Sequence, residues 1–394
     1  MWAKDARTAR GPCSRAGFGG NNTIMTASSA RTIRTAVVGA GNCASSLVQG
    51  VAYCRALGEA AIGVPFPVLA GYRPQDVEIV LALDVDARKV GRTVGEAAVA
   101  LPNCTEIFHR DLSEMTAPVL RGPDLDGVSA FMRNQAPDRS FVVSSAPALD
   151  KAGIVAALLA AEAEVMINFL PVGSIEATQF YAECALEAGC AFVNGIPVFI
   201  ASDPVWAARF TSAGLPILGD DFKAQFGATI THRALARLAD MRGVKVDRTY
   251  QLNVGGNTDF LNMMDGDRLA MKRESKTEAV QTAMNARLTE NEIRIGPSDY
   301  VPWLEDRKVA YVRLEGRLFG GVRTHVEMRL EVEDSPNAAA MALIAIRCAA
   351  IARDKGLSGP VEDASAFLFK HPPVQIEDAE GYDRLLAFAG ERAA

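Results

Sequence analysis

The chain has 394 residues, a formal net charge of −6, and 49% hydrophobic against 22% charged residues. That length favours two or more structural units, and the balance is that of a globular protein able to bury a sizeable core. The mild, dispersed acidity argues against nucleic acid as a partner, and no apolar run reads as a membrane span.

Residues 1–33 are rich in Arg, Gly, Ser and Thr and lack the apolar centre of a secretory signal. They read as a disordered arm without catalytic function, with Met25 inside it as a second possible start. The seven cysteines are irregularly spaced and include no C-x-x-C pair. They read as reduced, mostly buried thiols of a cytoplasmic protein. Residues 33–38 form a β-branched and apolar strand, then a glycine turn and a helix over 44–57. A second strand, 78–83, is delayed by the Pro- and Gly-containing stretch 63–74. Residues 141–144 and 165–170 read as further buried strands, and 190–193 and 216–218 continue the series. Ala-rich helical pattern over 151–163 and 175–188 lies between them. This alternation implies an α/β fold with a Rossmann-type, doubly wound parallel sheet over 34–243. Past Gly243 the pattern changes to long alternating runs, 246–254, 309–318 and 324–332, with a helix over 275–288. These predict an α+β insert over 244–333 with antiparallel strands, after which a long Ala-rich helix, 337–355, begins a return to the first unit over 334–394.

The strongest local motif is Gly39-Ala40-Gly41-Asn42-Cys43-Ala44, a G-x-G-x-x-A turn between the first strand and its helix. Gly39 permits the tight turn, Gly41 lets a pyrophosphate approach the helix N-terminus, and Ala44 takes the third glycine's place. Asp84 ends the second strand, where a carboxylate bonds ribose hydroxyls and repels a 2′-phosphate, so the predicted cofactor is NAD rather than NADP. Asp86 reads as the N-cap of a helix starting at Ala87. Ser144, Ser145, Asn168 and Gly173 follow later strands, at the sheet edge where ligands of such folds bind. His232 and His325 have no partner pattern and read as structural.

Several segments together carry a family resemblance: GAGNCASSLVQG (39–50), NFLPVGS (168–174), GDDFKAQFGATITHR (219–233), NVGGNTDFLN (253–262), ESKT (274–277), DRKVAYVRLEG (306–316), EDSPNA (333–338) and FLFKHPP (367–373). In this order they resemble the inositol-3-phosphate synthases, in particular the bacterial and archaeal branch. The resemblance implies a Rossmann domain with an inserted catalytic and tetramerisation domain, bound NAD and a homotetramer. It also implies a redox-neutral reaction on glucose 6-phosphate, in which C5 is oxidised, the C6 protons become acidic, the enolate closes on the C1 aldehyde and C5 is reduced again.

The same resemblance selects the site residues. Lys272 and Lys276, which share a helix face by their spacing, match two catalytic lysines, and Lys308 and Lys370 match two more. Lys276 and Lys308 are assigned to the C5 and C1 oxygens, with Lys272 and Lys370 assisting hydride transfer and aldehyde activation. Asp221 is the member of the Asp220–Asp221 pair placed near the sugar, and Asp220 is assigned to the cofactor side. The turn with Gln225 and Gly227 leads into a helix whose first residues, Ala228 and Thr229, read as a phosphate cradle, and Asn257 matches a substrate contact. Ser335 before Pro336 reads as a helix N-cap, while Asp334 and Ser335 match a divalent or monovalent cation site in the resembling enzymes. A dehydrogenase that releases NADH, or a non-catalytic NAD sensor, shares the Rossmann turn, but neither needs four lysines and Asp221.

Overall fold

The structure is a computed structural model that describes residues 31–391. Residues 1–30 of the expected arm lie outside the described residues, and Ile33, its last residue, opens the first strand. In chain order the first part comprises β1 (Ile33–Val38), α1 (Asn42–Leu57), β2 (Val77–Asp84), α2 (Val94–Ala98), β3 (Val119–Arg121), α3 (Ala130–Arg133) and α4 (Lys151–Ala160). It continues with β4 (Val165–Asn168), α5 (Ile175–Ala188), β5 (Ala191–Asn194), α6 (Pro204–Ser212) and β6 (Pro216–Leu218). Then follow α7 (Ala228–Met241), β7 (Lys245–Gly255), α8 (Thr258–Asn262), α9 (Ala270–Gln281), β8 (Ile293–Tyr300), β9 (Arg307–Arg317) and β10 (Arg323–Glu333). The chain closes with α10 (Asp334–Asp354), β11 (Gly359–Pro360), α11 (Glu362–Leu368) and α12 (Asp378–Ala389).

The first sheet is parallel, in the order β11-β6-β5-β4-β1-β2-β3. Its central strands β4 and β5 are apolar up to the asparagine that ends each, because both faces are covered. Val37, Val165, Ile167 and Val193 point to one side, against α1 and α10. Ala36, Val38, Met166 and Phe192 point to the other, against α4, α5 and α6. The strand order reverses beside β1, which leaves a crevice at the carboxyl ends of β1 and β4. The second sheet has the order β10-β9-β7-β8. Its β9 is antiparallel to both β7 and β10, as the alternation predicts, whereas β8 runs parallel to β7.

Three sequence expectations are corrected. Residues 141–144 form no strand; Val143 makes a single bridge to Asp86, and the sheet position goes to the short β3 instead. No helix follows Asp86, whose carboxylate instead accepts from the Arg88 backbone and guanidinium and from Val142 N–H. The helix α10 is long and apolar enough to cross a bilayer by length and composition, contrary to the sequence reading. It is a core helix: Ala342 to Ala349 are buried against the parallel sheet.

Candidate active site

One cavity lies beyond the carboxyl ends of β1, β4, β5 and β6, and its far wall comes from the second sheet and α9. Two helices point their N-termini into it. Gly41 N-caps α1 and Gly227 N-caps α7, and neither end carries a side-chain cap. Their first N–H groups therefore need an outside acceptor, and a phosphate is the natural one. Gly39 is held at φ 86° with Phe169 O 2.8 Å from where a Cβ would sit, so only glycine fits the turn. A Cβ on Gly41 would meet nothing within 4 Å, which leaves open space in front of the helix end. Gly41, Asn42 and Cys43 line the cavity. Ala40 donates its N–H to Asp84 Oδ2 at 2.6 Å, and Val85 and Asp86 N–H donate to Asp84 Oδ1 at 2.7 and 2.8 Å. The strand-end carboxylate thus fixes the glycine turn itself. Ala44 packs in the core behind it. An open cradle of uncapped N–H groups with a strand-end carboxylate fits a dinucleotide.

The four lysines converge on the same cavity. Lys272 Nζ donates to Asp259 Oδ2 at 3.0 Å, Lys370 Nζ donates to Asp221 Oδ1 at 2.8 Å, and Lys308 pairs with Asp334. Lys276 forms no ion pair among the described residues. Burial, then the charges of Lys272, Lys370 and Lys308, hold its ammonium well below the usual lysine range. Burial works against the charge of Lys272, but Asp259 and Asp221 leave its proton more tightly held than usual. Burial also pushes Asp221 up, yet Lys370 and Lys272, with a bond from Ser275 Oγ at 2.8 Å, hold its carboxyl below the usual range. Asp221 sits at φ 62°, a left-handed position rare outside glycine and one that such sites tolerate. Gly227, Ala228, Thr229, Asn257, Asp334 and Ser335 also line the cavity.

Other predicted residues stand elsewhere. Gln225 points away and donates to Gly63 O at 3.0 Å. Asn168 is fully enclosed, donating to Thr178 Oγ1 and Asn194 Oδ1 and accepting from Leu170 N–H. Asp220 is equally enclosed; it accepts from Asn194, Ile200, Ala201 and Ser202, while burial pushes its carboxyl up to about 6. Neither residue lines the cavity, because its polar atoms are spent on buried neighbours behind it. Gly173 lies outside the cavity lining and packs against the Arg268 side chain. Ser144 accepts from Ala146 N–H, and Ser145 is exposed beside it, near the end of β2. Ser335 is not the N-cap of α10; Glu333 is, and Ser335 donates its N–H and hydroxyl to Asp306 at 3.0 and 2.9 Å. With Asp334 on Lys308 and Ser335 on Asp306, and no group of three or more His, Cys, Asp or Glu placed for a metal among the described residues, these side chains do not by themselves fit a cation.

Sequence reasoning missed three supports. Asp259 pairs with Lys272, and Asp306, 1% exposed, accepts from Asn257 Nδ2 as well as from Ser335. Asn337 Nδ2 donates to Phe226 O at 2.7 Å, and its Oδ1 accepts from Phe226 N–H at 2.8 Å. The spacing of Asn337 from the cradle, 111 residues, left no local signal.

The sequence model described as Myo-inositol-1-phosphate synthase matches residues 227–335, the stretch from the cradle to the start of α10. An inositol-3-phosphate synthase of Corynebacterium glutamicum is 50% identical over 367 residues, covering 91% of this chain and 99% of that one. The chain belongs to the inositol-3-phosphate synthase family. The enzyme of that name from Mycolicibacterium smegmatis is 51% identical over 352 residues, 88% of this chain and 94% of its own. Among solved structures, the one named Ari2 superposes with a TM-score of 0.73 at 31% identity, covering 92% of this chain and all of that one. The family's match therefore spans both sheets and the cavity between them.

Proposed function

We propose that the chain catalyses the NAD-dependent, redox-neutral cyclisation of glucose 6-phosphate to 1D-myo-inositol 3-phosphate, the first step of inositol biosynthesis. The observation that carries this reading is the meeting, in one cavity, of two uncapped helix ends with four lysines of which three are neutralised and one is not. Two phosphate-bearing ligands side by side account for both helix ends: the pyrophosphate at α1 and the sugar phosphate at α7. When bound, NAD supplies the acceptor and then the donor of the C5 hydride. Lys276, with its ammonium destabilised, takes the proton that leaves the sugar. Lys272, Lys308 and Lys370 are each held by a carboxylate partner and stabilise the oxyanions that form at C5 and C1. Asp221 spans Lys370 and Ser275, and so fixes the distance between the α9 lysines and Lys370.

A Rossmann unit over 34–243 with its return over 334–394, and an insert over 244–333, is the domain division this function favours. The homotetramer implied by the resemblance is supported by β10, an eleven-residue strand with one edge unpaired among the described residues and Val326 43% exposed.

Incubation with glucose 6-phosphate and NAD tests the function. The expected product is inositol phosphate without accumulation of NADH, and substrate deuterated at C5 should keep its label even with unlabelled NADH in solution. Label in free NADH without cyclised product would establish an ordinary dehydrogenase instead.

A further inference from the structure

Behind the cavity, outside its lining, a single carboxylate joins most of the elements that carry the site. Asp378, the first residue of α12, accepts from Lys223 Nζ at 2.8 Å and from Arg233 Nε at 2.7 Å. Arg233 belongs to α7, the cradle helix, and is 2% exposed. Its remaining nitrogens donate to Ala279 O, to Thr282 Oγ1 at 3.0 Å and to Ile376 O at 3.1 Å. Ala279 lies on α9, three residues beyond Lys276. Lys223 follows Asp221 by two residues and is fully buried. Its Nζ donates also to Ala366 O at 2.7 Å, and its N–H donates to Leu368 O at 2.9 Å, on the segment that ends at Lys370. The Asp378 node therefore ties together α7, α9, the Asp221 loop and the Lys370 segment. A buried lysine and arginine sharing one carboxylate is weak support for stability, since apolar residues of the same volume serve a core as well or better. What such a node supplies is fixed geometry.

We propose that Asp378, acting through Arg233 and Lys223, is a positioning residue that sets the spacing of Lys272, Lys276 and Lys370 around the substrate. This rests on the reading of Lys276 as the base. The charged groups facing Lys276 are Lys272 on its own helix, Lys308 from β9, Lys370 and Asp221 from the loops, and Asp334 at the start of α10. Repulsion between unit charges falls with distance, so an α9 whose Arg233 anchor is loosened by the loss of Asp378 relaxes away from Lys370 and Lys308 and lets Lys276 hold its proton to higher pH. A base must be neutral to act, so turnover rises with pH through the pKa of Lys276, and the acid limb of the profile moves upward when the node is broken. A residue that only stabilised the fold would scale the whole profile and leave the limb in place.

The test is the pH dependence of kcat and kcat/KM for the unmodified protein, Asp378→Asn and Asp378→Glu, with NAD affinity measured separately by calorimetry. Asp378→Asn should bind NAD normally, lose about tenfold to a hundredfold in kcat, and show its acid limb at higher pH. Asp378→Glu keeps both ion pairs with the carboxylate displaced by one methylene. It should shift the limb the same way by less, and it decides the matter if Asp378→Asn does not fold. A wild-type acid limb in Asp378→Glu, with kcat reduced only by lost folded protein, overturns the proposal. Failure of the unmodified protein to form inositol phosphate would refute the function itself, which is a separate outcome.

Discussion

Lys276 differs from its three neighbours in having no carboxylate at its nitrogen among the described residues, and the proposed division of roles rests on that asymmetry. Lys276→Met should bind NAD normally by calorimetry and lose about 3 kcal/mol of transition-state stabilisation, roughly a hundredfold or more in kcat. Near-normal turnover would return it to an ordinary buried helix lysine. Asp84 carries a second prediction: Asp84→Ala should weaken NAD and narrow its advantage over NADP in paired titrations, and should do so partly by freeing the Ala40 N–H that now sets the turn. Equal affinity for both cofactors in the unmodified protein would refute the assignment. His232, fully buried between Thr249 and Gln251, has its pKa lowered from 6.5 to about 4 by burial. The unfolded chain binds a proton below 6.5 that the folded one refuses until about 4, so this contribution is whole above 6.5 and is lost as the pH falls through that window. The shift corresponds to about 3 kcal/mol; denaturant titrations of the unmodified protein should lose that much more stability between those limits than His232→Gln does. The lysines were legible in the sequence only through the family motifs, because MKRESKTEAV alone reads as a solvated helix. Asp259 was not legible, since a partner 13 residues away across a loop leaves no periodic trace.

At the scale of elements, the long central strands β1 and β2 and the helix α5 were readable because burial on both sheet faces or on one helix face writes a regular pattern. The short β3 was not: three residues at a sheet edge carry no period, and residues 141–144 offered a more apolar decoy. The strand β8 escaped for a related reason, as IRIGPSDY contains glycine and proline, residues unusual inside a strand. The turn before α7 was legible in the sequence, but not what holds it. Asn337, in the first turn of α10, makes a reciprocal pair of bonds with Phe226 and accepts Gln225 N–H on its own carbonyl. Asn337→Ala removes the side-chain pair while leaving every cavity residue in place. Steady-state kinetics should show KM for glucose 6-phosphate raised about tenfold for a loss near 1–1.5 kcal/mol, with kcat changed much less. An unchanged KM would mean the cradle is held by its backbone alone.

For the molecule as a whole, the cavity belongs to neither sheet: the parallel sheet supplies the two helix ends through its loops, and the second sheet with α9 supplies three of the four lysines. The seam between the sheets is therefore part of the catalyst. On β10, Val326, Met328, Leu330 and Val332 alternate with charged or polar residues, and the strand's outer edge has no partner among the described residues. If that edge is where subunits meet, Val326→Lys should shift the scattering mass toward the single chain. The strand also passes without a break from Glu333 into Asp334, the residue that holds Lys308. A subunit seated on that edge would therefore bear on the carboxylate that holds Lys308. Activity then becomes a property of protein concentration: specific activity should fall when the enzyme is diluted until its subunits part, and return when the same sample is concentrated.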